Sequence, residues 1–207
     1  MSPQNIYLIR HAQTDFNKNG IVQGSGIDSS INEKGREQVA LFKQKYGGIA
    51  FDRIYTSELL RTTQTVAPFL EEGFTSEVHS GLNEICWGVH EGKKIDAQEG
   101  EYYNWVLSQW QAGNTALKIK GGESPEDVVQ RQSKFVELIK SRKNDKNILI
   151  CTHGRVLRIL LSSLLNYPLK CMDFFEHSNL CLYVVGYTGM QYSLKAYNNV
   201  DHLKGHG

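Results

Sequence analysis

The feature that most constrains this chain is a short apolar run, IYLI at residues 6–9, that ends abruptly in Arg10 and His11. Four consecutive apolar residues are typical of a strand that is buried on both faces of a sheet. Both polar side chains should therefore emerge at the carboxyl end of that strand, where ligands bind in open α/β sheets.

Composition limits the partners of this chain. The 207 residues are 40% hydrophobic and 22% charged, which is enough for one core, and we expect a single domain over residues 1–207. Lys and Arg number 23 against 22 Asp and Glu, so no overall field attracts nucleic acid or anionic lipid. We therefore expect no nucleic-acid partner and no membrane partner.

No stretch of the sequence is typical of a targeting or membrane-spanning segment. The first residues lack a basic segment followed by an apolar one, and the apolar stretch at residues 156–165 is too short to span a bilayer. The four cysteines form no CxxC pair and no metal-ligand cluster with histidine. We expect buried free thiols, a cytoplasmic protein and no metal site.

Hydrophobic periodicity predicts strands that alternate with helices. Strands are predicted at residues 6–9, 53–56, 75–79 and 147–152, with a terminal hairpin at 180–186 and 190–197. Helices are predicted after the caps Asn32, Ser57 and Ser124, at residues 97–112 and at residues 156–165, and a polar loop is predicted at residues 15–30. Such alternation indicates a layered α/β domain with a largely parallel sheet.

Further polar side chains should gather at the same sheet edge. Arg61 lies about one turn into the helix after the second strand, and His153 directly follows the fourth. If those strands are parallel neighbours, both side chains meet Arg10 there. Arginine forks match the oxygens of a phosphoryl group, and helices that begin near Ser57 and Gly154 would add positive dipole ends.

The chemistry of this cluster points to a phosphate ester rather than to ATP. Hydrolysis of a phosphate ester needs roughly 20 kcal/mol or more of transition-state stabilisation, which a nucleophile, several cations and a general acid can supply together. The sequence has no GxxxxGK[ST] loop and no acidic cluster suited to magnesium. ATP-type phosphoryl transfer is therefore disfavoured.

These residues belong to a series of motifs that resembles the histidine phosphatase superfamily, in its phosphoglycerate-mutase-like phosphatase branch. In chain order the motifs are RHAQT at 10–14 with Asn17, QG at 23–24, NEKGREQ at 32–38, SELLRTTQT at 57–65, LNEICWGVHEG at 82–92, GGES at 121–124 and THGRVLRILL at 152–161. The resemblance covers nearly the whole chain. It implies a three-layer αβα fold with a mostly parallel mixed sheet and a C-terminal antiparallel hairpin, and no cofactor.

The resemblance also implies a covalent two-step reaction. Neutral His11 would attack phosphorus and become phosphohistidine, while Arg10, Arg61 and His153 hold the transferring oxygens. Glu84 matches the family's general acid, which protonates the leaving alcohol and then activates water.

Several assignments have alternatives. Glu58 and Glu91 could also reach a cleft in place of Glu84. The resemblance places Asn17, Gln23 and Gly24 near the phosphate and substrate, as it does Gly154, but Asn17 and Gln23 could instead satisfy loop backbone. The family's commonest RHGET form is changed at Ala12 and Gln13, which leaves the pH optimum and the substrate preference open.

Other polar and aromatic residues receive structural roles. Arg131 and Arg158 should form ion pairs with helix neighbours. The remaining histidines should be surface or hairpin residues, namely His79, His90, His177, His202 and His206. At least half of the aromatic residues at 102–110 should form an ordinary apolar helix face. The resemblance makes residues 93–122 a substrate-covering insertion whose aromatic residues could wall the leaving group.

We therefore predict a cofactor-independent phosphatase that takes a small phosphorylated substrate and releases inorganic phosphate. One alternative is a phosphoglycerate mutase, although mutases of this family are usually longer in the middle region than residues 93–122 allow. Another is a non-catalytic module that binds phosphorylated ligands, which full retention of the four motif residues disfavours. The oligomeric state stays open, with a homodimer as one option.

Overall fold

The computed structural model describes residues 3–95 and 97–204, with the backbone alone described for residues 97–99. In this part of the chain six strands form one sheet: β1 (Gln4–Arg10), β2 (Arg53–Thr56), β3 (Ser76–Val78), β4 (Asn147–Thr152), β5 (Leu182–Tyr187) and β6 (Tyr192–Asn199). The α-helices are α1 (Asp15–Asn19), α2 (Glu33–Tyr46), α3 (Leu60–Leu70), α4 (Ala97–Gln111), α5 (Pro125–Ser141) and α6 (Gly154–Leu164). Single 3₁₀ segments lie at Ser80–Leu82, Gly88–His90, Leu169–Phe174 and Asp201–Leu203.

The sheet is mixed, in the order β3-β2-β4-β1-β5-β6. The first four strands in this order are parallel, and β5 and β6 are antiparallel to their neighbours. Arg10 at the end of β1 pairs with Thr152 at the end of β4, and Thr56 of β2 pairs with Cys151 of β4. The carboxyl ends of three parallel strands therefore lie side by side, and the predicted α/β fold with its terminal hairpin is confirmed.

Helices cover both faces of the sheet because the central strands are apolar on both sides. In β4, Ile148 and Ile150 pack with α5 and α6, while Leu149 and Cys151 pack with α2 and α3. All four side chains are fully buried. Alternate residues of a strand point to opposite faces, so one continuous apolar strand supports two hydrophobic layers.

The aromatic helix predicted at residues 97–112 is α4, and its two faces differ. Val106 and Trp110 are buried in a third apolar cluster that includes Val156 of α6. The indole of Trp110 also donates a 2.9 Å hydrogen bond to the carbonyl of Leu117. Trp105 is 49% exposed on the opposite side, so part of this helix is an ordinary core face, as expected.

The prediction of a polar loop at residues 15–30 is wrong for residues 15–19, which form α1. Thr14 and Asn17 make a reciprocal capping box, in which each side chain accepts a hydrogen bond from the backbone of the other. Gly20, with a φ of 67°, ends the helix in a left-handed conformation. Local capping therefore organises a stretch whose composition resembles a loop.

Ser57 does not cap the following helix. The N-cap of α3 is Leu59, which has no capping side chain, and the helix begins three residues after Ser57. The carboxylate of Asp28 instead accepts a 2.7 Å hydrogen bond from the backbone N–H of Leu60. The cap thus comes from the predicted loop, which attaches the loop to the start of α3.

The four cysteines are free, but only two are buried. Cys151 and Cys181 lie in the core, whereas Cys86 and Cys171 are half-buried, so the prediction of four buried thiols is wrong. They differ because Cys151 is in a central strand, and Cys86 follows Glu84 in an irregular segment. No helix in residues 3–95 and 97–204 is both long enough and apolar enough to cross a bilayer.

Candidate active site

Two histidines and an arginine meet where β1, β2 and β4 end. His11 follows β1, His153 follows β4, and their ring centroids are 5.2 Å apart. Arg61 lies in the first turn of α3 and donates a 3.1 Å hydrogen bond from Nε to Nδ1 of His153. The structure therefore brings together the three side chains that the strand pattern predicts to be neighbours.

The ring of His11 is held with one nitrogen free for chemistry. It is 2% exposed, and its Nδ1 lies 2.8 Å from the carbonyl oxygen of Ala12. A carbonyl only accepts, so we assign the hydrogen to Nδ1 and the lone pair to Nε2. Burial, then the nearby charges of Arg10 and Arg61, hold the pKa of His11 well below its usual value. His11 is therefore a neutral base with a defined tautomer.

His153 is also neutral, with both ring nitrogens engaged. Because Arg61 can only donate, Nδ1 of His153 is the acceptor, and Nε2 donates to the hydroxyl of Ser57 over 2.8 Å. Burial, followed by the charges of Arg61 and His11, places the pKa of His153 well below its usual value. Ser57 thus orients this imidazole.

Arg61 does not line the cavity; it links His153 by hydrogen bonds to the loop that contains Gly24 and Ile27. Its Nη1 donates to the carbonyl of Ile27 over 2.6 Å and its Nη2 to that of Gly24 over 3.2 Å. The side chain is fully buried, and burial lowers its pKa to about 10. Arg61 therefore remains a cation near neutral pH.

Arg10 has one hydrogen-bonded nitrogen and one buried donor without a partner among the described residues. Its Nη1 donates to Nδ1 of His177 over 3.1 Å, whereas its buried Nε has no hydrogen-bond partner among the described residues. A buried donor without a partner is costly, so this nitrogen favours an oxyanion.

The carboxylate of Glu84 sits at the amino end of α6. It accepts backbone hydrogen bonds from Ile85 at 2.9 Å, Val156 at 3.2 Å and Arg155 at 3.3 Å, and the residue is 6% exposed. These bonds aim it into the cavity that His11 lines.

The two alternative carboxylates have other partners. Glu58 is exposed and accepts a 2.6 Å hydrogen bond from the amide of Asn83. Glu91 accepts a 3.0 Å hydrogen bond from the backbone of Trp87 and lies against Gly24. Neither lines the cavity that contains His11, whereas Glu84 does.

The predicted substrate-binding residues divide into two groups. Asn17, Gln23 and Gly154 line the cavity. Gly24 does not, because its carbonyl holds Arg61 and its Cα faces the carboxylate of Glu91, where a Cβ would lie 2.0 Å from an oxygen. Gly24 therefore shapes the loop rather than the cavity wall.

The cavity has a volume of about 300 Å³, at the small end of ligand sites. Its charged and imidazole-bearing wall consists of Arg10, His11, Glu84, Arg155, Arg158 and His177. Its apolar wall consists of Ile21, Val22, Trp87, Tyr103 and Leu107. A small phosphate ester with a partly apolar leaving group matches this size and division.

Sequence reasoning missed three cationic or imidazole side chains in this wall. Arg155 and Arg158 lie one turn apart on α6 and share one oxygen of Asp173, at 2.5 and 2.6 Å. Arg158 does form an ion pair, but with Asp173 in the 3₁₀ segment Leu169–Phe174 rather than with a helix neighbour, and it also lines the cavity. The spacing of both arginines after His153 could have indicated this.

Three histidine predictions are corrected. One is His202, which is 6% exposed and contacts the rings of Phe42 and Tyr46 edge-on, outside the hairpin. His177 is not a surface or hairpin residue, because it lines the cavity and accepts from Arg10. His90 is 1% exposed and stacks on Tyr102 at a centroid distance of 5.3 Å. The hydrophobic pattern around an isolated histidine cannot show which distant side chains surround it, and His206 lies outside the described residues.

Arg131 forms the expected ion pair, with Glu123 at 2.9 Å. Its guanidinium also donates to several backbone carbonyls next to Glu84, including that of Asn83 at 2.8 Å. It therefore supports the segment that carries Glu84. Among the side chains that the structure describes, no group of three or more His, Cys, Asp or Glu is placed to hold a metal ion.

Comparison with known proteins shows a family match across nearly the whole chain. Residues 6–200 match the histidine phosphatase superfamily, branch 1. A protein of Schizosaccharomyces pombe named as a probable phosphatase is 33% identical over 164 residues, which are 75% of this chain and 70% of that protein. A protein of Erwinia tasmaniensis named as a probable phosphoglycerate mutase is 29% identical, over 79% of this chain and 75% of its own length.

A solved structure shows the same fold. The α-ribazole phosphatase from Shigella flexneri superposes with a TM-score of 0.81 at 24% identity, covering 95% of this chain and 96% of its own. The sheet order, the motif series and the family match agree over the same residues. The chain therefore belongs to the histidine phosphatase superfamily, branch 1, as its motifs predict.

Proposed function

We propose that this protein hydrolyses a small phosphomonoester through a phosphohistidine intermediate on His11. As a member of the histidine phosphatase superfamily, the chain is by class a phosphomonoester hydrolase. The observation that carries the proposed mechanism is the His11 ring itself, buried beside two arginines, with Nδ1 hydrogen-bonded and Nε2 making no hydrogen bond to a described residue.

In the first step the lone pair of His11 Nε2 forms a bond to phosphorus as the bond to the leaving oxygen breaks. The ring becomes positively charged, and its Nδ1–H remains bonded to the carbonyl of Ala12, which stabilises that charge. Nε of Arg10 takes one phosphoryl oxygen, since it is a buried donor in the cavity-lining set with no hydrogen-bond partner among the described residues. Glu84, in its acid form, gives its proton to the leaving oxygen and releases an alcohol.

In the second step Glu84 acts as a base. Its carboxylate takes a proton from water, whose oxygen bonds to phosphorus while the bond from phosphorus to Nε2 of His11 breaks. Inorganic phosphate leaves, and His11 returns to its neutral form. Arg61 and His153 support both steps as fixed, buried groups beside the nucleophile.

The substrate-facing part of the proposal rests on α4. Tyr103 and Leu107 line the cavity together with Trp87, which supports the role of residues 93–122 as a cover over the leaving group. Asn17 and Gln23 also line the cavity, and they are hydrogen-bonded to Asn179 and Thr14 respectively. Four free cysteines support a reducing, cytoplasmic location.

A phosphoglycerate mutase is the second candidate, because several similar proteins carry that name. A mutase would return the phosphoryl group to the product instead of passing it to water. Release of inorganic phosphate and isomerisation of 3-phosphoglycerate, measured on the same preparation, separate the two. We expect phosphate release from a panel of phosphomonoesters and little isomerisation.

The mechanism is tested by trapping the phosphoenzyme. Acid lability is typical of phosphohistidine, so wild-type protein mixed with substrate and quenched in base should carry one phosphoryl group that acid removes. His11→Ala should carry none. His79→Asn is the matched control, since His79 is a half-buried histidine bonded to the backbone of Gly81 and outside the cavity. Normal turnover by His11→Ala would exclude the mechanism.

A further inference from the structure

The segment before β5 reaches the nucleophile because β5 runs antiparallel to β1. Ile9 pairs with Leu182, so the residues that precede Leu182 lie beside the end of β1. The backbone N–H of Leu180 donates to the carbonyl of Arg10 over 3.1 Å. The amide of Asn179 donates to the carbonyl of His11 and to the side chain of Asn17, each over 3.0 Å.

His177 adds the only side-chain hydrogen bond to Arg10 among the described residues. Nη1 of Arg10 lies 3.1 Å from Nδ1 of His177, and a guanidinium can only donate. Nδ1 must therefore present its lone pair, and the ring hydrogen of neutral His177 is on Nε2. The bond fixes both the rotamer of Arg10 and the tautomer of His177.

The ring of His177 is fixed from its other side by α6. A Cβ placed on Gly154 would lie 2.7 Å from Cε1 and 2.8 Å from Nε2 of His177. Distances below 3.0 Å do not occur for real Cβ atoms, so the ring and a side chain at position 154 exclude one another. Glycine at the first position of α6 is therefore what allows the ring to lie beside Arg10.

His177 stays neutral in this setting. Burial, then the charges of Arg10, Arg158 and Arg155, lower its pKa to about 2. A protonated ring would repel Arg10 and lose the acceptor, so His177 is not a proton donor in the reaction near neutral pH. It offers Arg10 an acceptor without offsetting its charge, which a carboxylate in the same place would do.

We propose that His177 is a positioning residue that holds Arg10 by Nη1 and so turns its Nε edge toward the phosphoryl oxygens. The inference rests on the proposed function, and the unpartnered Nε of Arg10 is the atom that links the two. A guanidinium fork binds an oxyanion well only when its plane is oriented. Without His177, Arg10 keeps its charge but loses its orientation.

The test compares two replacements of one ring. His177→Phe keeps the ring shape and removes the acceptor, whereas His177→Asn keeps an acceptor oxygen close to the position of Nδ1. Loss of one hydrogen bond to a charged group should weaken the binding of inorganic phosphate and lower kcat/KM by roughly 10- to 100-fold in His177→Phe. His177→Asn should recover most of that loss.

Phosphate affinity is measured by competitive inhibition and by calorimetry, with the thermal midpoint followed in parallel. His79→Phe is the control, because Nδ1 of His79 also accepts a hydrogen bond, from Gly81 N–H at 3.0 Å, away from the cavity. It should leave phosphate affinity unchanged. A purely structural role for His177 would lower the thermal midpoint alike in both His177 variants and leave their phosphate affinities equal.

Gly154→Ala provides a second way to separate His177 from Arg10, since the added methyl group displaces the imidazole ring without removing it. Its effect on phosphate affinity should match that of His177→Phe, and the double variant should be no worse than either single one. If His177→Phe does not fold, His177→Ala takes its place. Its phosphate affinity and kcat/KM are then compared with those of His177→Asn.

The positioning role would be overturned if His177→Phe bound phosphate as tightly as the wild type does. It would also be overturned if His177→Asn recovered none of the phosphate affinity that His177→Phe loses. These outcomes are distinct from failure of the proposed function. In that case wild-type protein itself would release no phosphate and form no phosphoenzyme, whatever residue stood at position 177.

Discussion

Two buried histidines in this protein have opposite surroundings. His11 lies at the sheet edge beside Arg10 and Arg61, and it lines a cavity. His202 lies at the end of the chain between the rings of Phe42 and Tyr46, at centroid distances of 5.2 and 5.4 Å. Both are at least nine-tenths buried, and burial is the largest cause of the lowered pKa of each.

Burial alone therefore does not make a histidine a nucleophile. Around His202 the remaining effects, from the backbone of Leu180 and from Asp201, raise the pKa, whereas around His11 two arginines lower it further. Of these two histidines, His11 alone combines an assigned tautomer and neighbouring cations with a place in the cavity wall. The surroundings of His11 favour reactivity over tight packing, whereas the aromatic surroundings of His202 favour packing.

The largest expected contrast is between loss of activity and loss of stability. His11→Asn should lower kcat by on the order of 10⁴-fold or more, because no nucleophile remains, while its unfolding free energy changes little. Steady-state kinetics with an alkyl phosphate and urea denaturation measure both. A large loss of stability with residual high activity would contradict the assignment of roles.

Arg61 should show an intermediate effect, mainly on activity. Arg61→Met removes a buried cation beside both histidines and frees the carbonyls of Gly24 and Ile27, so kcat/KM should fall by roughly 10²- to 10³-fold. Arg36→Met is the matched control, since Arg36 also donates to a backbone carbonyl, that of Ile31, at 3.3 Å. Equal losses in the two variants would remove Arg61 from the site.

His202→Ala should reverse the pattern seen for His11. Loss of two edge-to-face contacts and the cavity left behind should cost about 2 to 3 kcal/mol of unfolding free energy. Activity at a temperature where the variant is folded should stay within about twofold of wild type. A drop in kcat comparable to that of His11→Asn would show that the two regions are not separable.

The smallest expected effect of a substitution is on the pH dependence of stability, to which both regions contribute. The folded-state pKa of His11, His153 and His202 is lowered, so below about pH 6.5 the unfolded chain binds more protons than the folded one. Stability is therefore fully present above that pH and is lost as the pH falls toward the folded-state pKa. Each histidine contributes up to about 1.4 kcal/mol per pH unit.

His202→Phe keeps an aromatic ring and removes one of these titrations. Urea denaturation between about pH 7.5 and 5.5 should give a shallower slope for His202→Phe than for wild type, by up to the contribution of one histidine. An unchanged slope would mean that His202 titrates alike in the folded and unfolded chain.

Much of the site could be predicted because it depends on strand ends. Residues that follow β1 and β4 must meet if those strands are parallel neighbours, and the apolar runs IYLI and ILIC indicate such strands. The convergence of His11 with His153 followed from this. Glu84 carries no comparable signal, since it lies in an irregular segment, and only the motif resemblance singled it out.

Capping was predictable only where it was local. Ser124 and Pro125 start α5 as expected, since cap and helix are adjacent in the chain. The start of α3 was misplaced because its cap, Asp28, lies 32 residues before Leu60. Hydrogen bonds between distant segments have no local pattern.

The sequence by itself determined the alternation of strands and helices, the family and the identity of the polar side chains at the parallel strand ends. Each follows from local periodicity or from a motif. Tertiary structure alone decided that His177 and Asn179 join them. Residue 177 meets residue 10 because β5 runs antiparallel beside β1, and strand pairing is set by packing across the whole sheet.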